Sequence, residues 1–422
     1  MSESDSALSS RSEAIGGGSF ASALTARMWR RAFAARAGRI RHGRLTVSDS
    51  IGSFAVGGGS PEAFVRVSDL STYRDIALGG TIGAAEAYMQ GKWTTPELTT
   101  LIRVFVANRE ALEGLEKGFA SARRALLWLA HRLHRNTRLQ SRRNIHAHYD
   151  LGNELYRLFL DPTLTYSAAV YPREDSTLEE AAVYKMDLIC RRLHLGPQDH
   201  LLEIGTGWGG LALHAARHYG CRVTTTTISQ QQRELALERV RAAGLGHRVS
   251  VLDCDYRDLD GEYDKLVSVE MVEAVGHEFL DEYFRVCSAR LRPHGRMLLQ
   301  GIVIADRFYE QARRSVDFIQ KYIFPGGALP SLGAMQNAIA RVTDLQLVHV
   351  HDIGMHYART LGEWRRRFMS QLHAVRQLGY PEEFIRMWEY YLAYCEGGFL
   401  ERAISDVQVV LDKPGCQLPA VS

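Results

Sequence analysis

The sequence predicts an α/β fold: a parallel sheet with helices on both faces, preceded by a small N-terminal α/β domain. Two observations carry this. From about residue 146, short apolar strand candidates alternate with amphipathic helical stretches, as a parallel sheet with helical crossovers requires. The first of those strands then runs into a glycine turn and a helix, in His200-Leu-Leu-Glu-Ile-Gly-Thr-Gly-Trp-Gly-Gly210. Such turns open a ligand crevice at the carboxyl edge of a sheet.

Taken in chain order, residues 1–20 are rich in Ser and Gly and are expected to be disordered. Residues 21–43 hold Arg27, Arg30, Arg31, Arg36, Arg39 and Arg41 and no acid, interleaved with Met28, Trp29 and Phe33. They read as a basic helix, and 1–43 is set apart as a disordered and basic N-terminal segment. Period-two alternation at Leu45–Val47 and Ala63–Val67, broken by glycines, predicts short strands. The stretch from Gly79 to Trp93 reads as a turn, a short helix and another turn. Residues 44–110 then form the small α/β domain. Residues 111–145 are helical in pattern and form a basic linker. Between Ser121 and Arg143 lie seven arginines and no acid. On a helical wheel Arg123, Arg124, Arg132, Arg135 and Arg138 share one half, and Ala125, Leu126, Leu129, Ala130 and Leu133 the other.

In 146–422 the strand candidates are His200–Ile204, Arg222–Thr227, Val249–Leu252, Lys265–Val269 and Arg296–Ile302. Helices are expected between them, notably Gly210–Tyr219 and Gln230–Ala243.

Composition excludes several classes. The 422 residues are 46% hydrophobic and 23% charged, enough apolar surface to offset chain entropy, so disorder of the whole chain is excluded. No stretch reaches the length of a transmembrane helix, and the N-terminus lacks the apolar core of a signal peptide. The six cysteines are dispersed with no CxxC pair, which signals neither a zinc ribbon nor a disulfide framework. A cytoplasmic location follows as the expectation.

The glycine turn asks for a ligand, although the turn alone also fits plain strand–helix packing. A dinucleotide fold wants an acid about 20 residues on, to hold a ribose. Here the second strand ends in Thr227-Ile-Ser229 with Gln232, and the acid, Glu203, precedes Gly205, Thr206, Gly207 and Gly209 instead. That arrangement resembles the signature of class I S-adenosylmethionine (SAM) methyltransferases with their Rossmann-like sheet. Asp255 and Tyr256, after the third strand, fit an adenine amine and ring, though Tyr256 reads equally as core packing.

Several motifs together resemble the cyclopropane-fatty-acyl-phospholipid synthases and the mycolic acid cyclopropane synthases. They are His148-Tyr-Asp-Leu-Gly-Asn153, Tyr166-Ser167, Leu202–Gly210, Thr227-Ile-Ser229 with Gln232, Asp255-Tyr-Arg-Asp258, Lys321-Tyr-Ile-Phe-Pro-Gly-Gly327 with Leu329-Pro-Ser331, and Tyr391…Cys395-Glu396. The resemblance spans nearly the whole chain, most securely 146–412. It implies methyl transfer from SAM to the double bond of an unsaturated phospholipid acyl chain. A carbocation then loses a proton to a bound bicarbonate and closes to a cyclopropane.

Carried over by position, the resemblance assigns bicarbonate to Glu273, Tyr357 and the backbone N–H groups of Ile302 and Ala168. It places Tyr166 and Ser167 at the cofactor and Tyr322 and Phe324 as aromatic faces toward the cation. Ile302 also reads as a buried strand residue, and Glu273 as a helix-start acid. Three departures stand out. Ala168 replaces a Cys, Ala274 a His, and Gln300 the bicarbonate-binding His. Gln donates a hydrogen bond but carries no proton of suitable pKa. Either Gln300 holds the anion, or proton removal differs and the product is a methyl- or methylene-branched chain. Ring formation is placed first.

Two other classes remain open: a SAM methyltransferase for a non-lipid substrate, and a non-catalytic lipid-binding protein on the same fold. A nucleic-acid partner is disfavoured, because no recognition motif accompanies the arginines. With a membrane lipid as substrate and no span, the enzyme is expected to dock peripherally on the inner face of the membrane. The basic helices at 21–41 and 121–143 are its candidates. The 44–110 domain is assigned to lipid handling or to homodimer formation.

Overall fold

A computed structural model describes residues 16–112 and 152–421. The 121–143 segment and residues 148–151 of the His148–Asn153 motif lie outside the described residues. The chain divides into two units, Met1–Arg123 and Arg124–Ser422.

In the first unit, β1 (Gly43–Asp49) pairs antiparallel with β2 (Gly52–Gly58) and parallel with β3 (Glu62–Val67), and β4 (Trp93–Thr94) closes the order β2-β1-β3-β4. The helix Ser71–Met89 is longer than the expected turn–helix–turn and is kinked at Gly80. The basic helix Gly16–Ala37 begins inside the stretch expected to be disordered. It also belongs to this unit and is not set apart from it, because Phe33, Ala37 and, just beyond, Ile40 are buried. Arg30 is drawn in by Asp49 at 2.7 Å, whose carboxylate also accepts from the Tyr73 hydroxyl.

Among its described residues the second unit is built on seven strands: β5 (His200–Ile204), β6 (Arg222–Thr227), β7 (Val249–Asp253), β8 (Tyr263–Val269), β9 (Leu291–Ile304), β10 (Gln346–Asp352) and β11 (Ile404–Asp412). Their order is β10-β11-β9-β8-β5-β6-β7. All are mutually parallel except β11, which runs antiparallel to both neighbours. All five sequence-expected strands are present. β10 and β11 went unassigned, because Asp406 and Gln408 interrupt β11 with polar residues and β10 is largely exposed.

Period-two alternation splits the core between the two faces. Leu202, Leu266, Leu299 and Val409 pack on one face with Tyr283, Phe284 and Ile339. Leu201, Val267, Leu298 and Val410 pack on the other, with Ile189 of the helix that precedes β5 and Ala212 and Ala236 of the crossover helices. The chain winds outward from β5 to β7 and returns through β8 on the other side of β5. Strand order therefore reverses between β5 and β8, and a crevice opens beyond their carboxyl ends. Two further helices, Gly354–Ser370 and Glu382–Leu400, pack together and bring an aromatic layer. Among the described residues no helix is long and apolar enough to cross a membrane.

Candidate active site

The loop after β5 has three glycines at positive φ: Gly205 at 100°, Gly207 at 51° and Gly209 at 83°. At Gly209 a Cβ would come within 3.3 Å of Ala236. That position must be glycine for the turn to press onto the next helix. The N–H groups of Gly205 and Thr206 both donate to the Thr226 carbonyl at 3.1 Å, and the Thr206 and Thr225 hydroxyls pair at 2.7 Å. Glu203, one residue before the strand ends, is buried. Burial raises its pKa to about 8, against the pull of the Thr225 hydroxyl and the Lys185 ammonium. Its Oε2 has no hydrogen-bond partner among the described residues.

After β6, the Ser229 N–H donates to Thr227 Oγ1 (3.1 Å), that hydroxyl donates to Gln232 Oε1 (3.0 Å), and Ser229 Oγ caps the following helix. The three predicted residues thus form one local network. After β7, Asp255 is gripped by Arg257 through two bonds of 2.7 Å. The half-buried Tyr256 ring lies edge-on to Tyr283 at 5.5 Å, with the Arg257 guanidinium 5.3 Å from its centroid. A ligand amine at Asp255 would share the carboxylate with Arg257.

Beyond β8 the structure gathers three of the five groups assigned to bicarbonate around a residue that sequence reasoning passed over, Glu270. Its Oε1 accepts from the Ala168 N–H at 2.7 Å and from Gln300 Nε2 at 2.9 Å. Its Oε2 accepts from the Tyr357 hydroxyl at 2.7 Å. The second amide hydrogen of Gln300 goes to Asp406 Oδ2 at 3.1 Å. Gln300 Oε1 accepts from Gln408, which is oriented in turn by Arg192. The Ile302 N–H donates to Glu273 Oε1. Burial, and then the charge of Glu270, raise the pKa of Glu273 to about 8. The same two causes push Asp406 well above the carboxylate range. Lys185, itself buried, donates to Ser167 Oγ at 2.6 Å, and burial lowers its pKa.

An aromatic wall adjoins this cluster. The Tyr166 ring stacks on Trp364 (5.2 Å between centroids), its hydroxyl meets that of Tyr391 at 2.9 Å, and Phe324 stands edge-on to Tyr391 at 6.3 Å. Tyr156 links Tyr166 (5.1 Å) to Trp208 of the glycine loop (4.9 Å). The Tyr322 ring packs on Phe318 and carries the Lys321 ammonium at 4.8 Å.

The two implied small molecules fare differently. A SAM molecule fits: the unpaired Oε2 of Glu203 is an acceptor for a cationic amine, and the glycines keep the loop backbone open. A bicarbonate does not fit. The Ala168, Tyr357 and Ile302 donors and both Gln300 hydrogens are spent on the chain's own carboxyl groups, and an added anion would face Glu270. Besides Glu270, the sequence reading missed Asp406, Lys185 and Trp364. An acid directly at the carboxyl end of a strand was the available signal for Glu270.

Comparison with known proteins agrees with this architecture. The family model described as "Mycolic acid cyclopropane synthetase" matches residues 136–409. The tuberculostearic acid methyltransferase of Mycobacterium tuberculosis is 39% identical over 386 residues, 88% of each chain. The cyclopropane-fatty-acyl-phospholipid synthase of Escherichia coli is 36% identical over 360 residues, 84% of this chain and 89% of the relative. Among solved structures, a mycolic acid cyclopropane synthase complexed with SAH and CTAB superposes with a TM-score of 0.61 at 32% identity, over 64% of this chain and 98% of that one.

Proposed function

The chain belongs to the mycolic acid cyclopropane synthetase family and is a SAM-dependent lipid methyltransferase, and on that premise we propose that it methylates a double-bond carbon of an unsaturated acyl chain in a membrane phospholipid. The carrying observation is one juxtaposition. A glycine loop fit for SAM, an aromatic wall and a carboxylate cluster meet at the carboxyl edge of β5 and β8. SAM supplies an electrophilic sulfonium methyl when bound.

The chain's residues do the rest. Glu203 and the loop from Gly205 to Gly209 hold the donor, with Thr227, Ser229, Gln232, Asp255 and Tyr256 at its adenosine end. An alkene is a weak nucleophile, so its alignment and the exclusion of water matter most. Tyr166, Trp364, Tyr391 and Phe324 offer faces that exclude water and tolerate a cation.

Ring closure remains the first reading of the product. A second is methylation without a ring. In both, the transferred methyl loses a proton. Immediate loss closes the ring, and loss after a 1,2-hydride shift leaves a methylene branch. The match to a tuberculostearic acid methyltransferase over 88% of the chain supports the second, as does Gln300 standing where the resemblance calls for a His.

Access from the membrane surface is supported by the helix Gly16–Ala37, where Leu24 (57% exposed) and Met28 (53%) stand beside the exposed Arg27 and Arg31. Apolar and basic residues together suit an anionic interface. The test is label transfer from methyl-labelled SAM into phospholipid vesicles. Unsaturated vesicles should be labelled and fully saturated ones not. Equal labelling of soluble acceptors without vesicles would refute the lipid assignment.

A further inference from the structure

The bicarbonate cradle of this site is already filled by the protein itself. We propose that the Glu270 carboxylate stands in place of bicarbonate as the base that removes the proton from the transferred methyl. The inference rests on the lipid-methylation reading above and names the residue that completes it.

Three observations converge. The first is the donor set. Ala168 N–H, Gln300 Nε2 and the Tyr357 hydroxyl, three of the five groups assigned to the anion, converge on one side chain, at 2.7, 2.9 and 2.7 Å. A carboxylate presents two oxygens in a plane much as bicarbonate does, so the same donors can hold either, but not both. The second is the backbone. Glu270 has φ 48°, a conformation uncommon for residues other than glycine, Asn and Asp. Such strain persists where the surroundings impose it, and it gathers at working sites. Here it turns the residue after β8 back toward Ala168 and Tyr357. The third is access. Glu270 is only partly buried, whereas Asp406, the other acid that Gln300 reaches, is fully so. Glu270 is thus the acid of that pair left within reach of a reacting chain.

The step balances without a further reactant. A C–H bond of the transferred methyl breaks. Its electron pair forms the new C–C bond of the ring or, after the hydride shift, the C=C bond of the methylene. The proton passes to a Glu270 oxygen and leaves to water when the lipid is released.

The experiment compares wild type, Glu270→Gln and Glu270→Gly. Glycine suits the positive φ, so that variant keeps the fold and empties the cradle. Bicarbonate binding is read by magnetic resonance of isotope-labelled bicarbonate. SAM affinity is read by calorimetry, and turnover is measured on unsaturated vesicles in buffer stripped of carbon dioxide.

Wild type should turn over fully without bicarbonate and bind none. Glu270→Gln should keep SAM affinity and lose at least about 100-fold in turnover, the ordinary share of a general base. Glu270→Gly should bind labelled bicarbonate and regain turnover when it is added. Bicarbonate bound by the wild type, or wild-type turnover that collapses without it, would overturn the proposal. So would a Glu270→Gln variant with undiminished turnover. If no variant methylated lipid, the functional reading would fail, and the binding measurement on wild type and Glu270→Gly would still decide who fills the cradle.

Discussion

Replacing Glu203 with Gln should stabilise the ligand-free protein, and more so as the pH rises. Glu203 is buried at the carboxyl end of β5, and burial raises its pKa from 4.5 to about 8. For an acid whose folded pKa is raised, stability is fully present below the unfolded value and is lost as pH climbs through the folded value. The window is therefore pH 4.5 to about 8. Each unit of displacement is worth about 1.4 kcal/mol. Between pH 5 and pH 8 the wild type should thus lose about 3 kcal/mol from this one side chain. Gln has the same shape and does not titrate, so its advantage over Glu should grow by that amount across the window. Urea denaturation of both proteins at pH 5 and pH 8 measures it. The gain has a functional cost, because the unpaired Oε2 that destabilises the empty site is the acceptor offered to the SAM amine. Glu203→Gln should bind SAM more weakly at pH 8. An equal stability difference at both pH values would refute the reasoning, and unchanged SAM affinity would remove Glu203 from the cofactor site.

Other changes should separate the roles of neighbouring residues. Tyr357→Phe deletes the hydroxyl that Glu270 accepts at 2.7 Å; turnover on lipid should fall about tenfold or more with SAM affinity unchanged, as steady-state kinetics and calorimetry would show. Asp255→Ala removes the carboxylate that Arg257 grips in a buried pair, with side chains 4% and 8% exposed, and should cost about 3 kcal/mol in urea denaturation besides any loss of SAM affinity. Neutralising Arg123, Arg124, Arg132 and Arg135 together should weaken sedimentation with anionic vesicles, increasingly so at low salt, while SAM affinity stays intact.

Much of the fold was legible because it rests on local patterns. Leu201 and Leu202 alternate faces within β5, and Gly205–Gly209 mark the turn after it. Ser229 caps the helix from Gln230 as its position suggested. The resemblance brought Glu273, Gln300, Ile302, Tyr357 and Ala168 into one cluster, and they do meet there. What sequence could not resolve was which acid of Glu270-Met-Val-Glu273 the donors would choose. The two differ by one helical turn on paper. The choice depends on a positive φ at Glu270 and on Ala168 and Tyr357 arriving from segments about 90 to 100 residues away in the chain. Asp406 was hidden for a similar reason: β11 reads as an interrupted apolar run until its antiparallel pairing sets Asp406 opposite Ile302 and Gln408 opposite Gln300.

The central claim is methyl transfer to an acyl double bond followed by proton loss from that methyl. It is tested most directly by incubating the protein with SAM bearing a fully deuterated methyl and unsaturated phospholipid vesicles, then weighing the released acyl chains by mass spectrometry. The account predicts chains that gain one carbon and keep two of the three deuterons, with nuclear magnetic resonance then distinguishing ring from methylene. Chains retaining all three deuterons would contradict proton loss from the methyl, and chains without label would contradict the account as a whole.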